Sequence, residues 1–167
     1  MSRTFRVGGY VKLAKLWERN KDEAMELHRA YFEERCLQES TYELQHVYID
    51  ITGNKHLYRR DQMVTLLKAC MNGEIDLIIT PSRAYLAPNT QEFCYLLKFL
   101  FDLPFRIEII SDDDDYKIDT IQNIENQRES LYGMAEKFYT LSPGEYEEWK
   151  TKLQTSIEKI QEESHRG

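Results

Sequence analysis

Apolar residues change their spacing twice along residues 47–83, and this change predicts how the chain folds. Apolar runs rich in β-forming residues cover residues 47–51 and 75–80. Gly73 precedes the second run, and glycine readily takes the left-handed conformation that ends a helix. The pattern predicts a strand, a helix and a second strand, which form a right-handed parallel βαβ unit. The helix is marked by apolar residues at three- and four-residue steps: Met63, Leu66, Leu67, Cys70 and Met71.

The same two spacings continue on both sides of this unit. Strands and helices that alternate along a chain favour a doubly wound, mostly parallel α/β sheet of the flavodoxin-like kind. The adjacent Gly8 and Gly9 weaken the first strand and allow another part of the chain to approach its backbone closely. Further strands are predicted at residues 5–13 and 105–110, and further helices at residues 21–38 and from Asn89 or Thr90 to residue 101.

Two of these elements carry a prediction about which side faces the core. In the last strand, Arg106 and Glu108 alternate with apolar residues, which predicts one wetter face. In the first helix, the spacing predicts an inward face formed by Ala24, Leu27, Ala30 and Tyr31, with Met25 and Phe32 beside it.

After residue 115 the pattern becomes helical throughout, so we divide the chain into residues 1–115 and 116–167. Residues 118–138 repeat at heptad-like steps of three and four, and a further helix begins after Ser142. Two narrow apolar stripes of this kind pack on each other or on a partner subunit, and the pattern does not choose between them. The first stripe, which predicts an oligomer interface, comprises Ile121, Ile124, Arg128, Leu131, Ala135 and Phe138. The second comprises Tyr146, Trp149, Leu153, Ser156 and Ile160.

Composition narrows the classes of function. Residues 112–167 contain 14 acidic and 7 basic residues, so the whole net charge of −7 lies there. An acidic tail is a poor phosphate-binding arm, because DNA affinity depends on lysine and arginine. The run 112–115 of four aspartates is typical of a solvated loop. No apolar run is long enough for a membrane span. The cysteines, Cys36, Cys70 and Cys94, are odd in number and show no CxxC spacing, and Cys70 and Cys94 lie on apolar faces, which predicts reduced core residues of a cytoplasmic protein. We expect no metal site and no cofactor.

Three separated motifs resemble the catalytic domain of the serine recombinases, the resolvase and invertase family. Residues 6–14 are similar to the opening strand of that family. Thr52-Gly53 followed by Arg59 resembles its Ser-Gly and Arg-Pro segment, and residues 74–83 resemble the strand that leads into its Asp-Arg-Leu-x-Arg motif. The resemblance implies a resolvase-like sheet followed by a long dimer helix, which falls on residues 118–138. It also implies site-specific recombination through a phosphoserine link to DNA.

The positions that carry the chemistry depart from the family pattern. Ala14 stands where the resemblance places the nucleophilic serine, and alanine has no nucleophilic atom. Lys12 stands in place of an arginine, and lysine cannot make the same two-pronged phosphate contact. In the third motif Ser82 and Leu86 replace the aspartate and the second arginine, whereas Arg83 is kept. The departures predict a site without catalytic residues, with Arg59, Arg83 and Lys12 left as candidates for binding an anion.

Three hypotheses follow. The first is a catalytically inactive recombinase-like protein that associates with itself or with a related, active recombinase, and that binds DNA weakly or not at all on its own. The second is an active phosphoryl-transfer enzyme with an atypical nucleophile, for which Ser82 is the candidate. The third is a flavodoxin-like domain that binds a small anion at Arg59 and Arg83.

Overall fold

A parallel four-stranded sheet in the order β2-β1-β3-β4 forms the centre of the described chain. The computed structural model describes the backbone of residues 4–113 and 121–166, and the side chains of residues 4–113 and 127–160. The strands are β1 (Phe5–Leu13), β2 (Tyr42–Ile51), β3 (Leu77–Thr80) and β4 (Glu108–Ser111). The helices are α1 (Lys21–Leu37), α2 (Asp61–Met71), α3 (Arg83–Leu86), α4 (Thr90–Phe101), α5 (Ile121–Leu141) and α6 (Pro143–Arg166), with 3-10 turns at Lys15–Asn20 and Leu57–Arg59. The predicted α/β class with a parallel sheet is confirmed.

Two adjacent glycines in β1 allow helices to lie close to both faces of the sheet. A Cβ at Gly9 would stand 2.7 Å from the ring of Phe32 in α1. A Cβ at Gly8 would stand 3.0 Å from a methyl group of Leu66 in α2, on the opposite face. Gly73 ends α2 with a φ of 72°, as the sequence predicts. The glycines therefore set how near each helical layer comes to the central strand.

Helix α1 packs through a different face from the predicted one. Ala24, Phe32 and Cys36 are its buried residues, at steps of eight and four. Leu27 is 65% exposed, and Ala30 and Tyr31 also face outward. The physical reason is that the aromatic ring of Phe32 fills the space above Gly9, which rotates Leu27 away from the sheet.

The prediction that one face of the last strand is more exposed to solvent is also wrong. All four residues of β4 are buried, and Glu108 is only 2% exposed. Its carboxylate is paired with two arginines: Arg106 Nε lies at 2.6 Å and Arg128 Nη1 at 3.4 Å. A carboxylate can be buried when cations and donors compensate its lost hydration, so alternation alone misjudges this strand.

Helices α5 and α6 belong to the same hydrophobic core as the sheet. Leu131 and Ala135 of α5 are buried beside α4. Buried residues of α6 join the cluster that includes α2 and α4: Tyr146, Trp149, Leu153 and Ile157. The two carboxyl-terminal helices thus complete one face of the sheet, whereas α1 covers the other face.

Candidate functional site

The carboxyl ends of all four strands lie at one edge of the sheet, because the strands are parallel. Leu13 is the register partner of Ile51, and Thr80 that of Ser111. Open α/β sheets place their sites at this edge. Ala14 follows β1 directly, is exposed, and accepts a hydrogen bond from Trp17 through its carbonyl oxygen. The edge therefore presents a methyl group at the position where the sequence resemblance implies a nucleophile.

Asp50 occupies the amino terminus of α2 from within the same chain. One carboxylate oxygen accepts the backbone N–H of Gln62, and the other accepts that of Met63, each at 2.9 Å. The second oxygen also accepts the hydroxyl of Tyr10 at 2.8 Å. A helix amino terminus is a favourable place for a phosphate, since its amides and dipole attract anions. Here Asp50 already holds those amides.

Burial changes the proton affinity of this group. It raises the pKa of Asp50, and the hydrogen bonds from Gln62, Tyr10 and Met63 oppose that rise. Burial, followed by the charge of Asp50, raises the pKa of Tyr10 well above its usual value. On the same side of the strand, burial and then the charge of Arg60 lower the pKa of Lys12. Lys12, Asp50 and Arg60 therefore lie near enough to influence one another.

Arg60 is the central cation of this edge, and sequence reasoning missed it in favour of its neighbour. Arg60 is 1% exposed, whereas Arg59 is exposed. The Arg60 guanidinium donates to four backbone carbonyl oxygens: Lys55 at 2.6 Å, Tyr85 at 2.8 Å, Asn54 at 3.3 Å and Leu86 at 3.4 Å. It therefore joins the loop after β2 to the loop after β3. The sequence does contain an indication that Arg60 is buried, because Arg60 lies three residues before the buried Met63 and so on the same helical face.

Ser82 and the aspartates after β4 form a second polar group at this edge. Ser82 caps the short helix α3 by accepting the N–H of Ala84, and its hydroxyl donates to Asp113 at 2.9 Å. The same carboxylate accepts the hydroxyl of Ser111 and the backbone N–H of Arg83. These donors, the Ser111 hydroxyl first, lower the pKa of Asp113.

The acidic run is thus partly engaged within the fold. Asp112 pairs with Arg35 at 3.2 Å, and Tyr31 donates its hydroxyl to the same carboxylate. Asp114 and Asp115 lie outside the described residues. Asp113 is exposed, as a solvated loop predicts, whereas Asp112 is partly buried; both carboxylates accept hydrogen bonds from neighbouring elements.

The remaining candidate positions lie in α3 and in the 3-10 turn before α2. Arg83 places its guanidinium carbon 4.9 Å from the ring centroid of Phe93, over the ring face. Leu86 is fully buried. Arg59 lies on the exposed side of its 3-10 turn. Arg83 is therefore partly buried and Arg59 is exposed, whereas Arg60 is buried.

The predicted interface stripe divides between core and surface. Leu131 and Ala135 are buried within one chain, and Phe138 is half-buried. Arg128 donates to the Ile107 carbonyl oxygen at 2.8 Å and pairs with Glu108. The partners of Arg128 are therefore in its own chain, and a carboxylate from another subunit is not needed to compensate its charge. The side chains of Ile121 and Ile124 lie outside the described residues.

Among the described residues, no three His, Cys, Asp or Glu side chains come together as a set of metal ligands. No described helix has the length and apolar character needed to span a bilayer.

Comparison with known proteins finds similarity at the level of three-dimensional structure. A resolvase family site-specific recombinase from Streptococcus pneumoniae is 16% identical with a TM-score of 0.53, over 96% of this chain and 99% of that one. The carboxyl-terminal catalytic domain of ISC1926 TnpA, an IS607-like serine recombinase, is 16% identical with a TM-score of 0.52, over 93% and 98%. The amino-terminal catalytic domain of TP901-1 integrase has the same identity and TM-score, over 81% and 98%.

The chain has the serine recombinase fold. No protein-family model matches the sequence, and no curated protein is similar to it. The resemblance drawn from the three motifs is confirmed by the fold of these catalytic domains. The fold places Ala14, Thr52 and Ser82 after three parallel strands at one edge.

Proposed function

We propose that this protein is a serine-recombinase-like domain that does not cleave DNA and that acts by association, with itself or with a related, active recombinase. The observation that carries the proposal is Ala14 at the end of β1 in a serine recombinase fold. An alanine cannot form the covalent link to phosphate through which the resemblance implies that the family acts.

The charges at the same edge support this proposal. Phosphoryl transfer needs positive charge and hydrogen-bond donors aimed at the transferring group. Arg60 directs its donors at backbone carbonyls, and Asp50 holds the amides of α2. Asp113 adds a carboxylate whose pKa is lowered, so it remains charged at neutral pH. A phosphodiester at this edge would therefore meet too few available donors for catalysis, and the carboxylates would repel it.

A cleavage assay tests the proposal. Supercoiled plasmid carrying the DNA on both sides of the gene is incubated with the protein and quenched with detergent. We expect no nicked plasmid and no covalent protein–DNA adduct, from the wild type or from Ala14→Ser, since the serine alone would lack a clamp of donors. An active serine recombinase on its own site is the positive control. An adduct formed by the wild type contradicts the proposal.

One observation favours a second candidate, an enzyme with Ser82 as its nucleophile. The Ser82 hydroxyl lies 2.9 Å from Asp113, which is the geometry of a nucleophile and a general base. The lowered pKa of Asp113 makes it a weak base, and Ser111 and Arg83 share the same carboxylate. If the wild type forms an adduct, its loss in Ser82→Ala but not in Ser111→Ala would establish this alternative.

Self-association through α5 is the part of the proposal that light scattering tests. Tyr132 is 50% exposed beside the buried Leu131, so the outward side of α5 remains available to a second copy. We expect a dimer at tens of micromolar that Tyr132→Glu weakens while circular dichroism is unchanged. Leu131→Asp is a poor probe, because it would disturb the core of a monomer as well. If the wild type is a monomer, association is confined to a different partner.

Weak binding of DNA follows from the charge distribution. The net charge of −7 lies in residues 112–167, which repels phosphate in the absence of a basic arm. We expect no electrophoretic shift of duplex DNA at submicromolar protein in physiological salt. A shift under these conditions contradicts this part of the proposal.

A further inference from the structure

A cavity of about 220 Å³ opens on the α4 and α6 side of the molecule. Its lining combines aromatic rings with carboxylates: His56, Tyr58, Tyr95 and Trp149 with Glu92, Glu145 and Glu148. Among the described residues that line it, Lys152 is the one lysine or arginine. Ring faces and carboxylates both attract positive charge, so the lining favours a positively charged ligand.

Glu92 is the buried acid of this cavity and is only 4% exposed. Its Oε1 accepts the backbone N–H of Leu57 at 2.9 Å and the indole N–H of Trp149 at 3.0 Å. Its Oε2 faces His56 Nδ1 at 3.4 Å, and the His56 side chain is 56% exposed. Oε1 thus links the turn before α2 to α6. Among the described residues, Oε2 has one neighbour, the His56 ring, at a long distance. A buried carboxylate oxygen gains most from a charged donor.

The chain's own lysine shows that one wall accepts a cation. Lys152 Nζ lies 5.6 Å from the ring centroid of Tyr58, and it pairs with Glu148 at 3.6 Å. His56 stacks on the same tyrosine, with ring centroids 5.1 Å apart. The Lys152 side chain is 52% exposed and therefore displaceable by a better-placed ion.

We propose that this cavity binds an organic cation with a short alkyl stem, such as a guanidinium, between Glu92 Oε2 and the rings of Tyr58 and Trp149. Pockets for drug-sized ligands run from about 300 to 1,000 Å³, so this cavity matches the head of a side chain or a small free cation. The site lies on α4, α6 and the turn before α2. It is independent of whether the carboxyl edge of the sheet cleaves DNA.

The test follows the indole N–H signal of Trp149 by heteronuclear NMR during titration with ethylguanidinium chloride. The chain has two tryptophans, and Trp17→Phe assigns the remaining signal to Trp149. Ethylurea, a neutral molecule of similar shape, is the matched ligand control. N-acetylarginine amide forms a second arm, which asks whether the cation can come from a polypeptide side chain. We expect a saturable shift with a Kd of about 1 mM for ethylguanidinium and none for ethylurea.

Three variants locate the site, and a fourth is the alternative if the first does not fold. Glu92→Gln keeps an acceptor for Leu57 and Trp149 but removes the charge, and should weaken binding about tenfold or more. Glu148→Gln removes the same charge at the exposed rim and should weaken binding by about twofold at most. Lys152→Gln removes the competing cation and should strengthen binding. Should Glu92→Gln fail to fold, Tyr58→Leu removes a ring wall at a partly exposed position and should weaken binding.

The outcomes decide the proposal. Saturable binding of the cation that depends on Glu92 or Tyr58 supports it. The absence of a saturable shift, an equal shift with ethylurea, or unchanged binding in both variants overturns it. Tighter binding of N-acetylarginine amide than of ethylguanidinium would identify a polypeptide as the source of the cation.

Discussion

The two faces of the sheet are covered in different ways. One face carries α2 and α4, with α5 and α6 packed around them. The hydrophobic core on this face contains buried residues from all four of these helices. The other face carries α1, whose buried residues are Ala24, Phe32 and Cys36. Leu27 of α1 and Leu16 of the turn before it are 65% and 72% exposed. A face with several layers buries its apolar stripes, whereas a face with one helix leaves apolar side chains in solvent.

The difference indicates where each part of the molecule is sensitive to change. On the many-layered face, polar side chains such as Arg60 and Glu108 are buried and paired with partners on neighbouring elements. On the α1 face, the central strand and the helix meet through Gly9 and Phe32. Substitutions at buried partners should therefore destabilise the fold strongly, and substitutions on the outer side of α1 should not.

The largest effect is expected from Arg60→Met. It leaves four backbone carbonyl oxygens without the guanidinium and removes the charge of Arg60 from the surroundings of Asp50, so stability should fall by about 4 kcal/mol. Urea denaturation followed by circular dichroism measures this loss. Arg59→Met is the matched control and should change stability by no more than about 0.5 kcal/mol. Equal effects of the two substitutions would show that Arg60 does not have the central role described.

Gly9→Ala should be the next most damaging change, and Gly8→Ala provides the comparison on the opposite face. The new methyl group at Gly9 would meet the rigid ring of Phe32 at 2.7 Å, with an expected loss of about 3 kcal/mol. At Gly8 the nearest atom is a Leu66 methyl group at 3.0 Å, which a rotamer change can move, so the loss should be about 1 kcal/mol. The double variant Gly9→Ala with Phe32→Leu should recover part of the loss.

Arg128→Met tests how α5 is held to the sheet. Without Arg128, the carbonyl oxygen of Ile107 loses a donor and the buried Glu108 retains Arg106 as its cation. We expect a loss of about 2 kcal/mol in thermal or urea unfolding. The rate of amide hydrogen exchange should increase more in α5 than in the strands. Uniform acceleration throughout the chain would argue against a local role.

The smallest effect is expected on the outer side of α1. Leu27→Gln replaces a side chain that is 65% exposed, so stability should change by no more than about 0.5 kcal/mol. Phe32→Ala on the inner side of the same helix should cost about 3 kcal/mol or more. A large loss in Leu27→Gln would mean that this surface is buried in solution by another molecule.

The same contrast explains what the sequence could predict. Apolar residues located β1, α2 and α4 closely. In the two helices, the buried residues recur at steps of three and four. Apolar spacing chose the wrong face of α1, since a helix with one buried side and several exposed apolar residues offers two competing stripes. The burial of Glu108 depends on Arg106 and on Arg128, which is 20 residues away. Spacing along one element carries no information about such distant partners.

The candidate site shows a similar limit. The motifs located Ala14 and Ser82 at the ends of strands, because a parallel sheet brings those ends together. They could not decide between Arg59 and Arg60, which differ in exposure although they are adjacent. The choice depends on carbonyl groups of residues 54, 55, 85 and 86, whose meeting is a property of the folded chain.

The Glu92 carboxylate has a consequence for the order in which the protein folds during its synthesis. Leu57, Glu92 and Trp149 meet at that one carboxylate although they are far apart in the chain. When the ribosome has released the strands and α4, the apolar side of α4 still lacks the residues of α6 that will cover it. Long-range contacts of this kind form late, and exposed apolar surface invites aggregation or chaperone binding. Nascent chains stalled before residue 149 should therefore be more sensitive to proteolysis and bind chaperones more strongly than chains stalled after α6 has emerged.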